Sequence, residues 1–213
     1  MVKVDFKKEY RELYGASARP GLVRVPEGQY LSIQGQGDPN RPLFARSVEA
    51  LYGVAYGIKM WPKSHPVDEH WFDYVMPPME GIWDTVDGRP YDPRDKENLR
   101  WSLLILQPGF LTRELFERVR EERVQKKKDP QMERVDLIRY EEGLCGQILH
   151  QGPYDDEPAT LELLERFLRL QGLKADRSRH HEIYLSDPRK TVPERLKTIL
   201  RLPVSRATEV PRQ

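Results

Sequence analysis

The sequence predicts an α+β fold built from duplicated β-α-β-β units, related by a pseudo-twofold axis around a central ligand cleft. Three observations predict it. The order strand, helix, strand, strand runs twice along the chain. A Gln-Gly pair, Gln34-Gly35 and then Gln151-Gly152, falls at the same place in each copy. Each copy supplies one helix for three strands, so one sheet face is covered and the other is not. Two such sheets side by side, helices behind, leave a concave apolar front where small-molecule sites commonly lie.

The elements follow in order. Residues 22–36 alternate and carry β-favouring types, which predicts a strand, and Gly37-Asp38-Pro39-Asn40 breaks it. Leu43, Val48, Leu51, Tyr52, Ala55 and Ile58 recur at helical spacing through to about Lys59. Strands follow near 71–84 and 99–107. Thr112 caps a helix to about Lys128, with Leu115, Phe116 and Val119 as its stripe. Val135 to Gln151 is the next strand, with Gly143 and Gly146 as bulge points. Leu161, Leu164, Phe167, Leu168 and Leu170 make a helical stripe that Gly172 ends. His180 to Ser186 and Leu196 to Val204 are the last strands. This divides a single domain, residues 1–204, into repeat one (about 20–110), a linking helix (about 112–128) and repeat two (about 133–204). Residues 205–213 lack apolar periodicity and read as a disordered tail.

Composition excludes several classes. Lys and Arg number 35 against 34 Asp and Glu, so the net charge of +1 gives no electrostatic case for nucleic acid. The single cysteine, Cys145, excludes an internal disulfide and any multi-cysteine zinc site, and reads as a buried structural thiol. No apolar run approaches membrane-spanning length and no leader pattern opens the chain, so a cytoplasmic protein without membrane contact is expected. His180 and His181 face opposite ways on a strand and make no metal pair by themselves, and His65 and His70 lack ligand spacing. No metal and no cofactor are therefore expected. The lysines at 126–128 read as a solvated helix end that favours the dipole.

The most informative stretch is HHEIYLSDP, residues 180–188. Ile183 and Leu185 point to one side of an extended chain, and Glu182 and Tyr184 to the other. From alternation alone, Glu182 reads more simply as a surface acid. The wider set of segments alters that reading: KKEYRELY near the N-terminus, GQGDPN followed by LYGVAYGIKM, then YVMPPMEGIWD, WSLLILQPGF, HHEIYLSDP and LKTILRLPV. In this order they resemble the GyrI-like small-molecule-binding family, related to effector-binding domains of multidrug-responsive regulators. The chain looks most like its stand-alone branch, some of whose members hydrolyse cyclopropane-bearing DNA-alkylating compounds. The resemblance implies two β-α-β-β units around a ligand cleft. Regulators of the superfamily carry a helix-turn-helix ahead of this domain. Here the recognisable domain begins within the first ~20 residues, too few for that module, so no direct DNA binding is expected.

The resemblance makes Glu182 the family's buried acid, facing a cation or acting as base to a water. Tyr184 stands on the same face, to donate a hydrogen bond or orient that water. Glu80 and Trp83, in the matching strand of repeat one, are expected opposite this pair, with Trp83 as a cleft wall. Tyr56, Trp61 and Trp101 are further wall candidates for stacking and cation–π contact, though core packing suits Trp101 as well. Met76 adds an adaptable lining. The resulting expectation is a protein that binds hydrophobic or cationic, drug-like small molecules. The alternatives are a cofactor-free hydrolase of activated cyclopropanes and a protein-binding inhibitor. Sequence does not separate binding from turnover, and it leaves oligomeric state open.

Overall fold

The computed structural model describes residues 3–67, 69–89, 91–92 and 94–206. The chain opens with strand β1 (Val4–Asp5) and two short helices, α1 (Phe6–Glu9) and α2 (Arg11–Tyr14). Strands β2 (Gly21–Val25) and β3 (Gly28–Gln36) lead to helix α3 (Pro42–Met60). Then come β4 (Tyr74–Val75), β5 (Met79–Thr85) and β6 (Leu99–Leu106), followed by helix α4 (Arg113–Lys127). The second half runs β7 (Asp136–Tyr140), β8 (Gly143–Gln151), α5 (Glu157–Leu170), β9 (Leu173–Ala175), β10 (His180–Tyr184) and β11 (Lys197–Arg206). The fold is α+β.

Several expected strands are divided. Residues 22–36 form two strands, β2 and β3, that do not pair with each other, because Pro26 lacks the N–H a continuous ladder needs. Residues 135–151 divide in the same way into β7 and β8, with Gly143 at φ 77° after the turn rather than as a bulge. Pro77-Pro78 separates β4 from β5. Thr112 does cap α4, its hydroxyl accepting from the Leu115 N–H at 3.1 Å. Ser205 and Arg206 close β11, while the rest of the expected tail, and Pro90 and Pro93, lie outside the described residues.

The main sheet is a single one of nine strands, with order β2-β8-β11-β10-β5-β6-β3-β7 and β9 attached to β11. The central pair, β10 and β5, is antiparallel, with Glu182 opposite Gly81 and His180 opposite Trp83. On one face α3 packs against Leu31, Ile33, Leu103 and Ile105, and α4 adds Phe116 and Val119 behind it. On the same face, α5 sets Leu164 and Leu168 against Ile148 and Leu200. The reverse face carries Tyr30, Leu104, Cys145, Ile183 and Ile199 under Phe6, Leu13 and Tyr14 of the N-terminal segment. Cys145 is indeed free and buried. Among the described residues no helix is long and apolar enough to cross a membrane.

Gly35 is where a side chain is excluded outright. A Cβ there would sit 2.2 Å from the indole of Trp101, which is 1% exposed. Gly35→Ala is expected to cost about 1–3 kcal/mol through overpacking, read as a lower urea midpoint. An unchanged midpoint would contradict the tight seat of Trp101.

Candidate functional site

Side chains that pair across strands share a face. Glu182, opposite Gly81, therefore lies with His180, Tyr184 and Trp83 on the helix-bearing face, between α3 and α5. This corrects the expected concave front: the acid is on the side of the helices, not behind them. A 460 Å³ groove does mark the reverse face, lined by Ser32, Asp84, Arg100 and Tyr140 among others, and Glu182 takes no part in it.

Glu182 and His180 are buried, at 5% and 1% exposure. His180 Nε2 lies 3.2 Å from Glu182 Oε1 and 3.6 Å from Glu157 Oε2. Glu157 opens α5 and is itself buried. The three donors lie within 4.8 Å of one another, which makes them the described residues able to hold a divalent ion. Burial alone would lower the His180 pKa; the two carboxylates outweigh it and hold the imidazole above its ordinary range. Burial first, then the Glu182 charge, pushes the Glu157 carboxyl up. Among the described residues neither carboxylate has a Lys or Arg within ion-pair distance.

Aromatic rings close over this trio. Trp83 donates its indole N–H to the Tyr184 hydroxyl at 3.0 Å. Burial, followed by the Glu182 charge, holds the Tyr184 phenol well above its usual pKa, so it stays protonated. Phe44, from the start of α3, stacks on Trp83 with centroids 5.6 Å apart. Tyr91 stacks on His180 at 4.8 Å, and Tyr154 meets Tyr184 edge-on at 6.0 Å. His150 pins the turn that carries Tyr154, contacting Pro153 O at 3.0 Å and Thr160 Oγ1 at 2.8 Å. Tyr154 is 36% exposed, so the ring wall reaches solvent there.

Gly81 gives the indole and phenol room to meet. A methyl at that position would stand 2.8 Å from the Tyr184 hydroxyl and 2.9 Å from the Trp83 nitrogen. Gly81→Ala is expected to break their hydrogen bond, worth about 1 kcal/mol. Trp emission should shift red, because the indole N–H is freed. Unchanged emission would contradict the pairing.

The other expected site residues lie elsewhere. Glu80 pairs with Ile183, so it is on the reverse face, opposite in sense to Trp83. Positions 80 and 83 differ in strand parity, and duplication does not bring this acid to the first. Trp101 is in the core beneath Phe44, at 5.1 Å edge-on, and forms no wall surface. Trp61 stacks on His65 at 3.5 Å under Arg118, toward α4. Tyr56 is 46% exposed beside Tyr52. Met76 is half-buried and packs against the cluster that contains Trp83. Sequence reasoning missed Glu157, Phe44, Tyr91 and Tyr154. The available signals were the acids opening the α5 stripe and the shared parity of 180, 182 and 184.

Glu80 belongs to a second buried network. It accepts from the Tyr14 hydroxyl at 2.8 Å and lies 3.1 Å from His181 Nε2. His181 Nδ1 is 2.8 Å from Glu142 Oε2, and Arg201 Nη1 is 3.5 Å from the same oxygen. Burial works to raise the Glu142 pKa, but His181 and Arg201 overcome it and hold the carboxyl below the ordinary range of a glutamate. A depressed folded pKa contributes stability above the unfolded value of about 4.3 that is lost as pH falls through the folded one. Glu142→Gln is thus expected to flatten the acid limb of the stability curve. Urea midpoints at about pH 7 and about pH 3 test this, and parallel losses in both proteins would contradict it.

Comparison with known proteins follows this geometry. A family model described as a GyrI-like small molecule binding domain matches residues 108–205. A hydrolase encoded by lin2189 from Listeria innocua is 40% identical, with 96% of this chain and 100% of that chain covered and a TM-score of 0.88. An uncharacterized conserved protein from the same species is 41% identical, covering 95% and 100%, with a TM-score of 0.90. The EcmrR C-terminal domain, 14% identical over 88% of this chain and 98% of that chain, shares the fold with a TM-score of 0.54. No curated protein matches the chain.

Proposed function

Since the chain belongs to the GyrI-like family of small-molecule-binding proteins, we propose that its cleft between α3 and α5 takes flat, drug-like molecules, cationic or neutral. The observation that carries this reading is a buried pair of carboxylates beneath aromatic rings with no Lys or Arg partner. A cation entering the cleft meets that charge and the ring faces together. Glu182 faces the ligand charge, Tyr184 supplies a hydrogen-bond donor, and Trp83, Phe44, Tyr91 and Tyr154 form the walls. Tyr56, Trp61 and Trp101 have no place in this wall.

The supporting frame is a single domain over residues 1–204 with two units about a pseudo-twofold axis. Reading outward from β10 and β5, the order is β11-β8-β2 one way and β6-β3-β7 the other. The protein acts in the cytoplasm, without direct contact with DNA or membrane; the free Cys145 suits a reducing compartment.

A second reading is hydrolysis, favoured by a Listeria relative named as a hydrolase at 40% identity. Its substrate would be an activated cyclopropane, already strained and conjugated. Glu182 takes a proton from water, the water oxygen bonds to the ring CH₂, and the breaking C–C pair moves into the conjugated carbonyl. Tyr184 holds the water or that carbonyl. The test uses substrate in large excess over protein, followed by liquid chromatography. Depletion of one equivalent, with Trp quenching, supports binding alone. Many equivalents of ring-opened product support hydrolysis. Neither quenching nor depletion would overturn both readings.

A further inference from the structure

We infer that Glu157, His180 and Glu182 form a binding site for one divalent first-row metal ion of the Zn²⁺ class. The two histidines of β10 provide the comparison. On the reverse face His181 Nδ1 reaches Glu142 at 2.8 Å, the length of an ordinary charge-assisted hydrogen bond. On the site face His180 Nε2 stands 3.2 and 3.6 Å from its two carboxylates and neither ring nitrogen makes a well-aligned hydrogen bond, whereas on His181 only Nε2, 3.1 Å from Glu80, lacks one. One N–H cannot point at both oxygens, so a single proton joins this trio poorly. Donors sharing an ion behave differently. With bonds of about 2.0–2.1 Å, tetrahedral donors stand roughly 3.3–3.4 Å apart. The two measured separations bracket that value.

Three further features agree. Glu157 Oε1 is buried without a hydrogen-bond partner, as are both ring nitrogens of His180. Buried polar atoms left unpaired call for a missing partner. One imidazole and two carboxylates match a borderline or hard divalent ion. Tyr91 stacks on the imidazole and fixes its plane, a role usually taken by a hydrogen bond from the second nitrogen. Three protein donors would leave a fourth position of a four-coordinate ion free for water or a ligand. This inference is independent of the ligand reading above, but it has a consequence for it. An ion here neutralises the two carboxylates, so Zn²⁺ should reduce binding of a flat cationic dye.

The experiment is titration of chelator-treated full-length protein with ZnCl₂ by calorimetry, and with Co²⁺ by visible absorption. One ion per chain at micromolar affinity or tighter is expected. Glu157→Gln and His180→Asn each remove a ligand and should weaken it by more than the roughly 10- to 100-fold that losing an outer-shell partner costs. His65→Asn, which removes a partly exposed His65–Glu122 pair, should leave it unchanged. If either variant fails to fold, nitrogen-15 NMR of the wild-type histidines decides. Loss of the Nε2 proton of His180 on adding Zn²⁺ supports the site. A His180 that keeps both protons in excess Zn²⁺ overturns it, as does binding that survives both variants.

Discussion

Arg201→Met is expected to destabilise the protein by about 3–5 kcal/mol, the range for removing one partner from a buried ion network. Arg201 is 1% exposed on the reverse face. Its Nε and Nη2 donate to Gln147 Oε1 at 3.2 and 3.0 Å, and Nη2 also donates to the Leu13 carbonyl at 2.8 Å. Gln147 in turn donates to the Glu12 carbonyl at 2.7 Å. The guanidinium thus ties the N-terminal helices to β8 and β11 and offsets the charge of Glu142. Methionine fills much of the volume but leaves Glu142 with His181 alone and strands the Leu13 carbonyl. Arg201→Lys should fall between, because an ammonium keeps the charge and loses the fork. An exposed control, Arg94→Met, removes a surface pair with Asp92 and should leave the urea midpoint close to that of the wild type. Urea titration measures all three. A loss below about 1 kcal/mol for Arg201→Met would mean that the network relaxes around the gap.

Glu182→Gln carries the largest expected functional effect. Glutamine keeps the shape and removes the charge and the basic oxygen. If the protein turns over an activated cyclopropane, general-base catalysis contributes on the order of 100- to 10,000-fold, and the variant should slow by that factor. If it only binds, flat cations should weaken by about 1–3 kcal/mol while neutral analogues change less. Tyr184→Phe should cost less in either case, since it keeps the ring and loses one hydroxyl. Turnover by liquid chromatography and affinity by Trp quenching separate the cases. Rates that survive Glu182→Gln would remove Glu182 as base; equal losses for cations and neutrals would remove it as the charge partner.

The parity of residues 180–184 was legible because a strand alternates regardless of its neighbours. Ile183 is in the core, and Glu182 and Tyr184 do stand together on the other side. The face they share with helices was not legible, because it depends on which side α3 and α5 dock. Glu80 fails for a related reason. Its face follows from the register that sets it against Ile183, and no local pattern encodes a cross-strand register. Glu157 illustrates the limit at helix starts. Asp155, Asp156 and Glu157 are adjacent acids, yet only Glu157 is buried. Which one turns inward is decided by how α5 seats on β8. Trp61 looked like a wall because the sequence places it just past α3; the packing of α4 against α3 directs it elsewhere.

The exchange of outer strands has a consequence for how the protein reaches this state. Strand β2 is bonded only to β8, and β7 is bonded only to β3. Val23 meets Cys145, and Leu31 meets Leu137. Each half of the chain therefore ends its sheet with a strand borrowed from the other. A nascent chain that has emerged only as far as α4 holds β2 with no neighbour and β3 with one side bare. Its edges stay open to any passing strand until β7, β8 and, on the far side of β5, β10 arrive. Closing contacts on the order of 100 residues apart also places folding at the slow end for a domain this size. Once closed, neither half can leave without breaking ladders in both. Resistance to unfolding should thus come from a slow escape as much as from a deep minimum.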